Sequence, residues 1–75
     1  MPAFVIEYDR RTGESTVHSF TGSDGHRAAI MKRFELERAR SSEEVEIVSL
    51  VSDSLETIKR THSRYFMQSF AMAED

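Results

Sequence analysis

The chain has 75 residues, a formal net charge of −3 and no cysteine, so disulfides and thiolate metal sites are excluded and one apolar core must hold it. A domain this small buries only about 60% of the surface its unfolded chain exposes, which leaves little margin of stability. The dispersed acids argue against a dedicated nucleic-acid binder. No run approaches the roughly 20 apolar residues of a membrane span, and MPAFVIEYDRR lacks the pattern of a secretory signal; a soluble cytoplasmic protein is expected.

Residues 3 to 8, AFVIEY, read as a strand rich in β-branched and aromatic side chains. DRRTGE then signals a hairpin, with Asp9 opening the turn and Gly13 taking a left-handed conformation. A loop of residues 10 to 13 sets Tyr8 opposite Ser15 and Ile6 opposite Val17 across a second strand, 15 to 20. A three-residue loop would instead slip the register and move His18 beside Ile6, and the capping position of Asp9 favours the first. Phe4, Ile6, Tyr8 and Val17 then share one face, and Val5, Thr16, His18 and Phe20 the other.

TGSDGH breaks the pattern and offers Ser23 and Asp24 as N-caps for a helix over about 26 to 40. Ile30 and Phe34, four apart and flanked by Ala29 and Met31, form its expected apolar stripe, with Leu36 pointing away. Arg33 with Glu37 and Lys32 with Glu35 are helix-spaced charge pairs. After the polar loop RSSEE, residues 45 to 51, VEIVSLV, form a third strand. It is apolar on both faces, a pattern usual where a strand is covered on both sides.

Ser52 or Asp53 is the expected cap of a last helix. Leu55, Ile58, His62, Tyr65, Phe66, Ser69 and Phe70 recur at its spacing of three and four, while Glu74 and Asp75 disfavour its extension. The expected fold is an α+β, ββαβα two-layer sandwich. Its three-stranded, mainly antiparallel sheet has order 2-1-3, with both helices on one face. RTHSRYF places His62, Ser63, Arg64 and Tyr65 side by side, but helical neighbours diverge by about 100°, so these residues make a helix face and not a constellation. His62 is expected to be a core-facing histidine with one hydrogen bond.

No catalytic residues, cofactor or metal ligands emerge. The sequence has no Cys and no G-x-S-x-G elbow, and His18, His26 and His62 are widely spaced without H-E-x-x-H. TGSDGHR lacks the P-loop spacing and reads as a capped helix start. A protein that is not an enzyme and takes no small-molecule substrate is the expectation. Its partner would be another protein, or itself as a homodimer through the third strand. The candidate contacts are Val5, Phe20, Val48 and Leu50 on an open sheet face, with Met67, Phe70 and Met72 from the C-terminal helix and tail. A second reading is a weak RNA- or ribosome-associated binder using Arg10 and Arg11 at the hairpin tip with Lys59 and Arg60. Against it stand Glu7 and Glu46, expected on the same open face.

The layout, with YDRRTGE near the start and LETIKRTHSRYF toward the end, resembles small uncharacterised proteins of GC-rich actinobacteria and their phages. That resemblance carries no catalytic residue over and implies an accessory or host-directed regulatory role.

Overall fold

The computed structural model describes residues 1–40 and 42–73. Ser41 of the RSSEE loop and Glu74 and Asp75 of the tail lie outside the described residues. The elements are β1 (Ala3–Asp9), β2 (Glu14–Phe20), α1 (Gly25–Ala39), β3 (Val45–Val51), α2 (Leu55–Thr61), a 3-10 turn over Ser63–Phe66 and β4 (Ser69–Met72). The class is α+β, with a four-stranded mixed sheet in the order β3-β1-β2-β4.

The hairpin has the register expected from its loop, with Tyr8 opposite Ser15 and Ile6 opposite Val17. Gly13 sits at φ 77° and donates its N–H to the Asp9 carbonyl at 2.8 Å. The Asp9 carboxylate accepts from the Arg11 N–H at 2.9 Å, the local bond that favours Asp at this turn position. β3 lies antiparallel on the other side of β1, pairing Ile6 with Val48.

Two expectations about the last third of the chain are corrected. The last helix ends at Thr61, where His62 leaves helical geometry (φ −127°, ψ 47°). Ser69 and Phe70 belong to a fourth strand, parallel to β2, with Glu14 opposite Ser69 and Val17 opposite Met72. The apolar spacing of residues 62 to 70 fits a helix, yet the open edge of β2 offers a row of peptide partners that a helix would leave unpaired. The cap of α2 is Ser54, whose Oγ accepts from the Thr57 N–H at 3.2 Å; neither Ser52 nor Asp53 fills that position.

The helices also lie on opposite faces of the sheet, not on one. Phe4, Ile6 and Val17 pack with Ile58 and Tyr65 on the α2 face, while Ala3 and Val5 pack with Ala29 on the α1 face. The missed strand explains this. The β2–α1–β3 connection crosses the sheet one way and β3–α2–β4 crosses back, so connections of one hand must run over opposite faces. Ile6, Val5, Val17 and Ile58 are the large, fully buried side chains, each contributing about 1.5–3 kcal/mol of burial.

α1 is rotated relative to its sequence pattern. Gly25 and Ala29 are buried and Leu36 packs against the sheet, whereas Met31 is 62% and Phe34 50% exposed. Small residues let the helix backbone approach the sheet: a Cβ at Gly25 would lie 2.9 Å from the Phe20 carbonyl oxygen. Asp24 occupies the N-cap position without a side-chain capping bond. The two charge pairs form as expected, Lys32–Glu35 and Arg33–Glu37 each at 3.4 Å.

Candidate docking edge

β3 is an edge strand of seven residues. Its hydrogen bonding can be followed from its ends. The Glu44 carbonyl accepts from Arg10 N–H and the Ser52 N–H donates to the Pro2 carbonyl, so even-numbered peptide groups face β1. The Val45 N–H donates to the Ser42 carbonyl and the Val45 carbonyl accepts from Arg40 Nη1 at 3.2 Å, away from β1. Peptide groups alternate in an antiparallel strand, which leaves those of Ile47, Ser49 and Val51 pointing outward. No described residue pairs with them.

Edge strands in native proteins are usually blunted by lysine, proline, a bulge or an inward-pointing charge. VEIVSLV carries none of the first two, and it pairs with β1 without a break in register from Val45 to Val51. Its single charge, Glu46, is engaged on the α2 face: Arg64 Nη2 donates to Oε1 at 2.8 Å and the Tyr65 hydroxyl donates to Oε2 at 2.5 Å. The Arg64 guanidinium also lies over the Tyr65 ring at 4.8 Å and the Tyr8 ring at 5.7 Å, and these rings meet edge to face at 5.1 Å. Burial, then the hydrogen bond to Glu46, holds the Tyr65 phenol above its usual pKa. The charge of β3 is thus drawn toward α2 and away from the open edge.

The residues expected on an open sheet face do not form one. Val5 is fully buried beneath α1, with Phe20 packed in the same layer. Val48 and Leu50 pack on the opposite layer, against Ile58 and Tyr65. Glu7 and Glu46 are likewise separated, on the α1 and α2 faces respectively, because Tyr8 and not Glu7 is the partner of Glu46. Phe70 and Met72 stand on β4, and Met67, 76% exposed, precedes it. Phe70 meets Phe66 edge to face at 5.1 Å and lies under Lys59 Nζ at 4.4 Å.

The hairpin arginines are engaged within the fold. Arg10 Nη2 donates to the Glu43 carbonyl at 2.7 Å, and Arg11 Nε and Nη2 each reach the Asp9 carboxylate at 3.2 Å. The Arg11 hydrogen bonds hold Asp9 below its ordinary pKa. Arg60 reaches Thr57 Oγ1 at 3.4 Å on α2, one residue after Lys59. His62 is half-buried at the end of α2, its Nδ1 2.8 Å from Thr61 Oγ1 and its ring stacked 6.4 Å from Tyr65. The buried histidine is His18, whose Nε2 lies 2.8 Å from Glu7 Oε2. Beside Glu7, an open depression of about 230 Å³ is lined by Asp9, Thr12, Glu14, Thr16 and Val45. Among the described residues no three His, Asp or Glu side chains are grouped to hold a metal ion.

The outward row of β3 was legible as an edge in the sequence; its registration was not, because it depends on how Arg40, Ser42 and Ser52 finish the strand. No helix is long and apolar enough to cross a membrane among the described residues. No family model, curated protein or solved structure matches this chain.

Proposed function

We propose that the protein is a non-catalytic interaction module, with a regulatory role, that docks an extended strand on the open edge of β3. The observation that carries this reading is the outward row of Ile47, Ser49 and Val51 on an unblunted edge strand. Main-chain hydrogen bonds to such an edge supply affinity, and side chains on alternate faces supply selectivity. Here the flanking side chains are Val48 and Leu50 on one face and Ile47 and Val51 on the other; Val51 is 51% exposed. A docked strand would remove these from water as it satisfied the peptide groups.

The test is backbone-amide NMR during titration with a lysine-flanked peptide carrying VEIVSLV, in samples dilute enough for sedimentation to show the chain monomeric, so that the edge is open. Shifts and slowed exchange are expected at Ile47, Ser49 and Val51, and no such change in Ser49→Pro. Proline suits this position because its missing N–H faces away from β1, leaving the β1 ladder intact. Unperturbed amides at all three positions would remove the edge as the docking surface.

A further inference from the structure

We propose that the strand docked on β3 is the β3 of a second copy, paired antiparallel about a two-fold axis at Ser49. The inference rests on the edge-docking reading above and names its occupant and register. The geometry of the open row selects both.

The row is bounded at each end. On one side the Val45 peptide groups are taken by Ser42 and Arg40; on the other, the Ser52 N–H turns back to Pro2. Ile47, Ser49 and Val51 remain, an odd-numbered row with Ser49 at its middle. Rotating one copy about Ser49 sets Ile47 against Val51 of the second copy and Ser49 against its own counterpart. Every outward N–H then meets a carbonyl, with roughly six bonds in all, because each such antiparallel pair exchanges two. A centre at Val48 would spend one end of the row on Val45, whose groups are already bonded.

The side chains agree with the same centre. Val48 faces Leu50 of the second copy on the α2 face, and Ile47 faces Val51 on the α1 face, so apolar groups meet apolar groups. Glu46 falls opposite Ser52 of the second copy and meets no like charge, while its carboxylate stays with Arg64 and Tyr65. A C₂ contact must be self-complementary, and this strand meets that condition in charge, polarity and hydrogen bonding together. The product is one continuous sheet with four strands from each copy.

Because the chain has no cysteine, single-cysteine variants report the register directly. Ile47→Cys, Val48→Cys, Ser49→Cys, Leu50→Cys and Val51→Cys would be oxidised under mild conditions and sized. Only Ser49→Cys is expected to give a fast disulfide dimer by itself, since directly opposed residues lie about 5.5 Å apart, within disulfide reach. Ile47→Cys mixed with Val51→Cys should cross-link to each other. In sedimentation runs, Ser49→Pro should weaken the dimer about 30-fold, the loss of two bonds of about 1 kcal/mol each.

Fast cross-linking centred elsewhere would overturn the register while leaving edge docking standing. A wild-type monomer at every concentration, still binding the VEIVSLV peptide at Ile47, Ser49 and Val51, would overturn the second copy alone. A dimer indifferent to Ser49→Pro, with no peptide response at those amides, would overturn both.

Discussion

The Tyr65 hydroxyl donates to Glu46 Oε2 at 2.5 Å, joining the turn after α2 to the edge strand β3 across the α2 face of the sheet. The Ser15 hydroxyl donates to the Tyr65 carbonyl at 2.6 Å, so the same residue also fastens to β2. Tyr65 is 6% exposed and spans the sheet from one strand to the other, over Tyr8 of β1. This single residue closes the layer that the short α2 leaves incomplete.

Tyr65→Phe keeps the ring contacts and removes the bond to Glu46. A hydrogen bond to a charged group is worth about 1.5–3 kcal/mol, but Glu46 keeps Arg64 and some access to water, so the expected cost is about 1 kcal/mol. That corresponds to a fall in Tm of roughly 4–8 °C for a domain of this size. Thermal unfolding followed by circular dichroism would show it, and an unchanged Tm would mean that the bond contributes nothing net.

The same phenol gives the fold a specific alkaline sensitivity. Burial first, and the Glu46 carboxylate second, raise its pKa in the folded state above 10.0. The neutral form is the one the fold favours. Its contribution is therefore fully present below the unfolded value and is lost as pH rises through the folded one. Wild type should lose stability above about pH 10 more steeply than Tyr65→Phe. Parallel denaturant melts of the two proteins across that range would separate them, and identical slopes would contradict the assignment.

How far the sequence was readable follows from how local each cause is. The hairpin, its loop and its register were legible because Asp9 and Gly13 act on their own turn. β3 was legible from its continuous apolar run, and its two apolar faces already pointed to cover on both sides. The end of the chain was not, because Phe66 and Phe70 satisfy a helical spacing as well as the contact they make here, and only the open edge of β2 decides between them. Losing β4 hid the return crossing, and with it the division of Val5 and Phe20 from Val48 and Leu50 that removes the open face. α1 misled for another reason. Its buried side is made of small residues, Gly25 and Ala29, which carry no hydrophobic signal, while its conspicuous Ile30 and Phe34 face outward.

Gly13 is where the hairpin and β4 meet. Its φ of 77° is unfavourable for any residue with a Cβ, by about 1–2 kcal/mol, and a Cβ there would also run into the Gln68 side chain. Gly13→Ala should therefore destabilise by at least about that amount. Adding Gln68→Ala should recover only the steric part, because the backbone strain remains. Full recovery in the double variant would show that the left-handed conformation carries no cost at this turn.

The orientation of α1 makes the last prediction, and it reverses what hydrophobicity suggests. Phe34 is the largest apolar side chain on the helix, yet it is half-exposed on the side away from the sheet, whereas Ala29 is 1% exposed against Ala3 and Val5. Phe34→Ser should stay within about 0.5 kcal/mol of wild type, as surface changes usually do. Ala29→Leu adds volume where the helix and sheet already touch, and overpacking of this kind costs about 1–3 kcal/mol. Leu36→Ala removes a half-buried contact with the sheet and should cost about 1–2 kcal/mol, less than a fully buried leucine would. Urea midpoints of the three variants would rank them. If Phe34→Ser proved the most damaging, the helix would have to pack through Ile30 and Phe34, and the α1 face described above would be turned by half a revolution.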